Sequence, residues 1–314
     1  MPGPMQQYLD APFPLPRLPS TSQPGPFHLP ETREKYFAYL HRFQAGAPST
    51  PILAGEIGRR DSITIDGDAD FALKRIAIWE EALNELGANV GPAMDDAITF
   101  ELTPLSERVT FPSIFLSGLG NGQLPTPILP PYVLKRNAVW SAIVDSRSTI
   151  AYATQTILVA HHGAKRYPRV IRPAKNYARA RMFAYTMSFT AFDAFQNGGT
   201  IGAGGTVVGS VRSDGDSDFV VQRIVTLSDT PVSMQVQTDN DQWSHVPIGM
   251  DLLGGTAIQA PGIGTNLSGW YPFVLPAERF VGPAQTITAV VTNLDPAVAT
   301  RCQIQFWGTR YYPH

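Results

Sequence analysis

Residues 66–76 read DGDADFALKRI and residues 214–224 read DGDSDFVVQRI, identical at seven of eleven positions. Further matches keep the same order. Phe37-Ala38-Tyr39 recurs as Phe183-Ala184-Tyr185, and Pro131-Tyr132-Val133-Leu134 as Pro272-Phe273-Val274-Leu275. Gly163-Ala164-Lys165-Arg166-Tyr167-Pro168 recurs as Gly308-Thr309-Arg310-Tyr311-Tyr312-Pro313, and the offset stays between 141 and 148. A repeat at fixed offset sets the architecture before any single element is assigned. The 314-residue chain therefore divides into an arm at 1–34, a first module at 35–168, a basic linker at 169–180 and a second module at 181–314. Each module is long enough for its own core.

The second copy carries the clearer β pattern. Segments 233–238, 286–292 and 302–307 alternate, with Cys302, Ile304 and Phe306 facing one side and Gln303 and Gln305 the other. Gly and Pro breaks separate them. The first copy is more ambiguous. EEALNEL at 80–86 is helix-forming when read alone, yet its counterpart is β-branched and broken by Pro231. Homologous modules share a scaffold, so 71–79 is expected to be strand, with the Glu-rich piece after it a loop or helical turn. Both FAY segments are expected to be strands. The expected fold is all-β: two duplicated jelly-roll-like β-sandwich domains behind an extended Pro-rich arm.

That arm has nine prolines in residues 1–30, interleaved with Phe13, Leu15 and Leu18. Proline lacks the amide donor a sheet interior needs and favours extended geometry. Apolar side chains on such a strand suit a groove on a neighbour, so Phe13, Leu15 and Leu18 are the candidate assembly anchors.

Charged residues are only 16% of the chain and the net charge is -2, which argues against a protein built to grip a phosphate backbone. The one basic run, residues 165–181, falls in the connector and reads as a solvated linker or a contact with an acidic neighbour. Cys302 is the lone cysteine and is expected in the core. Neither a signal segment nor a membrane span is read from the chain.

Three constellations merit weighing. Asp66, Asp68 and Asp70, and again Asp214, Asp216 and Asp218, have the i, i+2, i+4 spacing that opens a calcium loop. The later ligand positions are missing, since Phe71 and Phe219 stand where glycine is needed. A polar turn bent at Gly67 and Gly215 is the simpler account. Arg75 and Arg223 are placed on the same strand face as Phe71 and Phe219; an arginine there needs a carboxylate or carbonyl partner, and a structural ion pair within each module is expected. His161 and His162 are adjacent in a strand and point to opposite faces, so they are poorly placed to share a metal. No nucleophile elbow or Cys/His pairing is present, and the Gly-rich stretch 198–210 lacks the strand–loop–helix context of a phosphate loop. No cofactor is expected. Trp243, Trp270 and Trp307 are potential sugar-stacking residues, though core or interface roles are commoner.

The pattern D-x-D-F-x-x-x-R-I, then P-[YF]-V-L, then an alternating strand and G-x-[KR]-x-Y-P resembles the tandem β-sandwich structural proteins of tailed-bacteriophage virions, of the decoration, auxiliary capsid or neck and collar type. The resemblance implies a non-enzymatic virion component, assembled in the host cytoplasm, whose partners are further copies of itself and other virion proteins. A glycan-binding tail or adhesin module and a bicupin-like metalloenzyme are the competing readings. On the assembly reading, deleting residues 1–30 leaves both modules folded and abolishes self-association. Light scattering of the truncated protein against the full chain checks this, and an unchanged mass overturns it.

Overall fold

The computed structural model describes residues 27–43, 57–83, 98–104, 114–115, 125–146, 154–189, 200–239, 241–253 and 272–313. Within them the chain is almost wholly β, arranged as two jelly rolls. The first is built from β2 (Glu34–Phe43), β3 (Arg59–Thr64), β4 (Asp70–Leu83), β5 (Ile98–Pro104), β6 (Ile114–Phe115), β7 (Thr126–Leu134), β8 (Val139–Ser146) and β9 (Thr154–Arg166). They form two antiparallel sheets, β2-β9-β4-β7 and β3-β8-β5-β6. The second is built from β11 (Arg179–Phe189), β12 (Thr206–Arg212), β13 (Asp218–Ser228), β14 (Val232–Thr238), β15 (Asp241–Gln242), β16 (Ile248–Gly249), β17 (Phe273–Val281), β18 (Thr286–Asn293) and β19 (Cys302–Tyr312). Its sheets run β11-β19-β13-β17 and β12-β18-β14-β15, with β16 also paired to β14. The order is the same in both copies, and such interleaving of early and late strands is the Greek-key signature of a jelly roll.

The remaining pair, β1 (Phe27–Leu29) with β10 (Lys175–Tyr177), ties the root of the arm to the connector. Phe27 and Leu29 pack with Tyr177 of the connector and with Val220, Phe280 and Tyr311 of the second module. The last residues of the arm thus do join a small sheet. Phe13, Leu15 and Leu18 lie outside the described residues. A truncation starting at residue 27 is therefore the cleaner test of the arm, since one starting at 31 also removes β1.

Two expectations from sequence need correction. Strand β4 continues to Leu83, through the Glu-rich segment expected to be a loop or helical turn. It is held by β9, whose Thr154, Gln155 and Thr156 pair with Leu83, Ala82 and Glu81; tertiary pairing overrides local helix preference. The PYVL and PFVL segments are not equivalent. Tyr132 lies opposite Leu73, whereas Phe273 lies opposite Ile224. By register the counterpart of Tyr132 is Arg279.

The cause of that mismatch is a wide bulge shared by both modules. Between Leu73 and Arg75 the register to β7 jumps from Tyr132 to Pro127, leaving 128–131 opposite a single residue. Between Val221 and Arg223 it jumps from Arg279 to Val274, leaving 275–278 in the same position. Both β7 and β17 are sheet edges, where proline is tolerated, and Pro127, Pro130, Pro131 and Pro276 all fall in them.

The core of the second module extends into the first. In β2 and β9 the inward residues Phe37, Tyr39, Phe43, Ile157 and Val159 fill the first sandwich. The outward residues Tyr36, Ala38, Leu40, Leu158 and Ala160 belong to the core of the second. The strands β2, β9 and β4 are thus buried on both faces.

Gly163 and Gly308 sit where β9 and β19 pass the bulge. A Cβ on Gly163 overlaps the Ala72 carbonyl oxygen and the Phe71 ring, and one on Gly308 overlaps the Val220 carbonyl. Gly215, by contrast, has open space around it. Gly308→Ala is expected to cost roughly 1–3 kcal/mol or more, because backbone must move. Gly215→Ala is expected to stay within about 0.5 kcal/mol of the parent. Urea denaturation of both variants checks the contrast.

Candidate functional site

The repeated motifs converge on one corner in each module. In the first, Lys165 Nζ lies 2.6 Å from Asp66 Oδ2 and 3.2 Å from Asp68 Oδ1, with Nζ also over the Phe37 ring at 4.2 Å. In the second, Arg310 Nη1 lies 2.6 Å from Asp214 Oδ2 and Nη2 2.8 Å from Asp216 Oδ1, with the guanidinium 4.7 Å from the Phe183 ring. The backbone N–H groups of Asp66 and Asp214 donate to the hydroxyls of Tyr39 and Tyr185, at 3.1 and 3.0 Å. Those tyrosines stack edge-on against Phe71 and Phe219, both at 4.8 Å. The three matching motifs are therefore three sides of one structural corner. Its cation is a side chain of the chain itself.

This geometry bears directly on the calcium reading. The first two carboxylates of each triplet converge on Lys165 or Arg310. The third turns away in both modules: Asp70 accepts the Arg136 N–H at 3.0 Å, and Asp218 takes the Tyr177 hydroxyl at 2.5 Å and Lys175 at 2.8 Å. Among the described residues no group of three His, Cys, Asp or Glu side chains is placed to hold a metal. At Gly67 a Cβ would come within 2.7 Å of Asn137 Oδ1, the end of a side chain that can turn aside, so close approach does not by itself require glycine there.

Arg75 and Arg223 do not share a face with Phe71 and Phe219 as the alternation suggests. The bulge switches the parity, so that Phe71, Leu73 and Ile76 face the first core and Arg75 points outward, re-aimed as bulges do. Arg75 Nη1 donates to the Val274 carbonyl at 2.6 Å. Arg75 thereby makes a contact across the junction. Lys74 joins it, bonding the Pro276 carbonyl at 3.2 Å and Glu34 at 2.9 Å.

Sequence reasoning missed the residue at the centre of this junction. Arg279 is 1% exposed. It donates to the carbonyls of Tyr36 (3.1 Å), Asp241 (3.1 Å) and Gln242 (2.8 Å) and pairs with the Asp241 carboxylate at 2.9 Å. Burial pushes its pKa down, and Asp241 opposes that shift. The stretch 243–245 pairs with the free edge of β2, Ala38 donating to the Trp243 carbonyl at 3.0 Å. One sequence signal did exist: the run ILVA in β9 does not alternate, and a continuous apolar run marks a strand buried on two faces.

A cleft of roughly 570 Å³ lies beside Arg279, lined by Lys35, Lys74, Arg172, Asp241 and Phe280 among others. Its charges are largely committed: Lys35 to Asp241 at 2.7 Å, Lys74 to Glu34, and Arg172 Nη2 to the Pro30 carbonyl at 3.1 Å. The basic run is likewise engaged. Arg166 pairs with Glu34 at 2.7 Å and Arg179 stacks on Tyr312 at 4.1 Å.

The tryptophans divide. Trp243 is 2% exposed and belongs to the core. Trp307 is part-buried on the outer face of β19, and its Nε1–H donates to Gln305 at 2.9 Å. Trp270 lies outside the described residues. Cys302 is buried against Met250, and desolvation pushes its thiol up to about 12. His161 and His162 do point to opposite faces, one in each core environment.

No family model and no curated protein matches the chain. Among solved structures it overlaps a chain in the atomic structure of Sulfolobus Turreted Icosahedral Virus, with a TM-score of 0.22 and 9% identity over 90% of this chain and 92% of that one. It overlaps the infectious bursal disease virus VP2 subviral particle with a TM-score of 0.22 and 10% identity, over 92% of this chain and 75% of that one. Overlaps this loose add nothing to the strand order as evidence.

Lys165→Met leaves Asp66 and Asp68 facing each other without a cation. It is expected to lower stability by about 1 kcal/mol, because Lys165 is buried but both carboxylates are about half exposed and screened by solvent. Millimolar calcium or a chelator is expected to leave the thermal midpoint of the parent protein unchanged. A calcium-dependent rise, read by calorimetry, overturns the structural account of the corner.

Proposed function

We propose that the protein is a non-enzymatic structural protein of a virion that builds a layer by head-to-tail association of identical copies. One observation carries this reading. The bulged edge and the outward-turned arginine that meet at the junction of the two modules each occur a second time outside that junction. Inside the chain the bulged edge of β17 packs on the outer face of β2-β9-β4-β7, with Arg75 capping the Val274 carbonyl. The matching bulged edge of the first module, in β7, is uncovered: Leu129 is 80% exposed, and Pro127, Pro130 and Pro131 are exposed beside it. The matching face of the second module, on β11-β19-β13-β17, is covered by β1 and β10 at Val220, Phe280 and Tyr311 and open at Met182 and Leu227. Met182 is 57% exposed and Leu227 is also exposed. The side chain of Arg223, the counterpart of Arg75, makes no hydrogen bond or ion pair with the described residues.

A used pair of surfaces with an unused copy at each end describes a heterologous interface, which propagates until it closes into a ring or runs on as an open array. Jelly rolls serve as capsid, lectin and cupin domains. Of these, a capsid role calls for ends that bind one another in a repeating array. Such a layer suits decoration or cementing of a capsid, or a ring in a neck or collar, with residues 1–26 reaching neighbouring subunits. The resemblance to tailed-phage structural proteins favours those settings. The glycan-binding reading loses Trp243, which is buried.

Arg223 of one copy is then expected to cap the Pro127 carbonyl of the next. Arg223→Ala should weaken association by about 2 kcal/mol or more, as for truncated interface arginines, a loss of roughly 30-fold in affinity. Leu129→Asp should act similarly, and neither should alter the thermal midpoint. Light scattering over a concentration series checks this. A monomeric parent protein, or variants with the parent's mass, overturns the reading.

A further inference from the structure

Two histidines hold the second module to the first, and hydrogen bonding fixes the tautomer of each. His162 Nε2 lies 3.1 Å from the Leu252 carbonyl, which can only accept, so the proton is on Nε2. Its Nδ1 is then the acceptor for the Tyr36 hydroxyl at 3.0 Å. In His245, Nδ1 accepts the backbone N–H of Leu40 at 3.3 Å, so its proton is also on Nε2. The same segment closes the free edge of β2: Ala38 donates to the Trp243 carbonyl at 3.0 Å and His245 N–H to the Ala38 carbonyl at 3.2 Å. A ring protonated on Nδ1 presents a second donor where an acceptor is required. For His245 that donor meets the Leu40 N–H head-on, and buried unpaired donors are costly.

We propose that the junction is an acid-sensitive clasp: protonation of His245 and His162 frees residues 243–245 and the turn Met250–Leu253 from the first module, while each sandwich keeps its own strand ladders.

The surroundings set the direction. His245 packs against the Tyr39 ring of β2 at 5.3 Å. Burial lowers its pKa, while Asp66 and Asp61 pull it up. Both carboxylates have other partners, Asp66 in Lys165 and Asp61 in the N–H groups of Arg42 and Ser62. His162 faces Tyr36 from β2, Phe273 from β17 at 4.6 Å and the Leu252 carbonyl. Burial lowers it to about 3, and the Arg75 charge from β4 adds to that. His161, behind His162 on β9, is held well down by burial and by the charges of His41, His162 and His245. Both clasp histidines thus have a closed-state pKa below the ordinary value of about 6.5. Their contribution is complete above that value and is lost as pH falls below it, because the open state takes up protons that the closed state refuses.

His41 and His161 provide an internal control. His41 Nε2–H donates to the Trp140 carbonyl at 3.2 Å, and His41 Nδ1 accepts from His161 Nε2 at 2.8 Å. This pair lies within the first sandwich, so its loss reports unfolding of that module and not opening of the junction.

Amide-resolved hydrogen exchange on the full chain, corrected for intrinsic rates, tests the proposal from about pH 7.5 to about pH 5. Protection at Ala38, Leu40 and His245 is expected to fall by up to about tenfold per pH unit for each proton taken up. Amides in the β13–β19 and β4–β9 ladders are expected to keep theirs. In His245→Gln, the side-chain oxygen can still accept from Leu40 without titrating, so the slope at Ala38 and Leu40 becomes shallower. The proposal fails if protection at these amides is flat with pH, if all amides lose protection together, or if His245→Gln keeps the parental slope.

Discussion

A sheet buried on both faces is the constraint on which the rest of this molecule depends. The strands β2, β9 and β4 present Phe37, Tyr39, Phe71 and Val159 to one core and Tyr36, Ala38, Ala77 and Ala160 to the other. Each large side chain so buried contributes roughly 1.5–3 kcal/mol, so the junction is built like a domain interior. That makes Arg279 possible. A guanidinium shut away from water is tolerated only when its N–H groups are satisfied, and three carbonyls plus Asp241 do so from both modules at once. Removing either module would leave a buried charge half-solvated.

The duplicated modules have diverged at the positions this constraint predicts. By register, Leu40, Leu158 and Ala160 of the first module correspond to Thr186, Gln303 and Gln305 of the second, and His162 to Trp307. Small and apolar side chains mark the covered face, and polar or amphipathic ones the uncovered face. The corner beneath has not diverged in kind. A cation from the last strand, two aspartates from the turn before the third, and a tyrosine from the first occur in both copies. Those residues serve the fold of each module, which neither face affects.

The same distinction governs how much could be read from sequence. The duplication and the all-β class were legible because the corner motifs are local and repeated. The alternation of Cys302, Ile304 and Phe306 was legible because β19 has only one buried face. What escaped was set by contacts distant in sequence. The helical look of EEAL in β4 yields to its pairing with β9. The facing of Arg75 depends on a bulge that no periodicity reveals. Arg279 carries no motif; its importance comes from Tyr36 and Asp241 meeting around it. The PYVL match misled because two edge strands with similar proline-rich composition align by composition and not by register.

A fused pair of like modules need not have exposed ends. Had the junction been two-fold symmetric, each module would use the same patch and nothing would remain. Here the first module contributes a sheet face and the second a bulged edge, so the junction is heterologous, and the complementary edge and face are left over. The bulge is central to this. It lifts the 275–278 segment out of the sheet to reach the neighbouring module and turns Arg75 outward to receive it, and the second copy of the bulge likewise lifts 128–131 and turns Arg223 outward. A local irregularity that would be neutral in an isolated sandwich thereby joins the two modules of this chain.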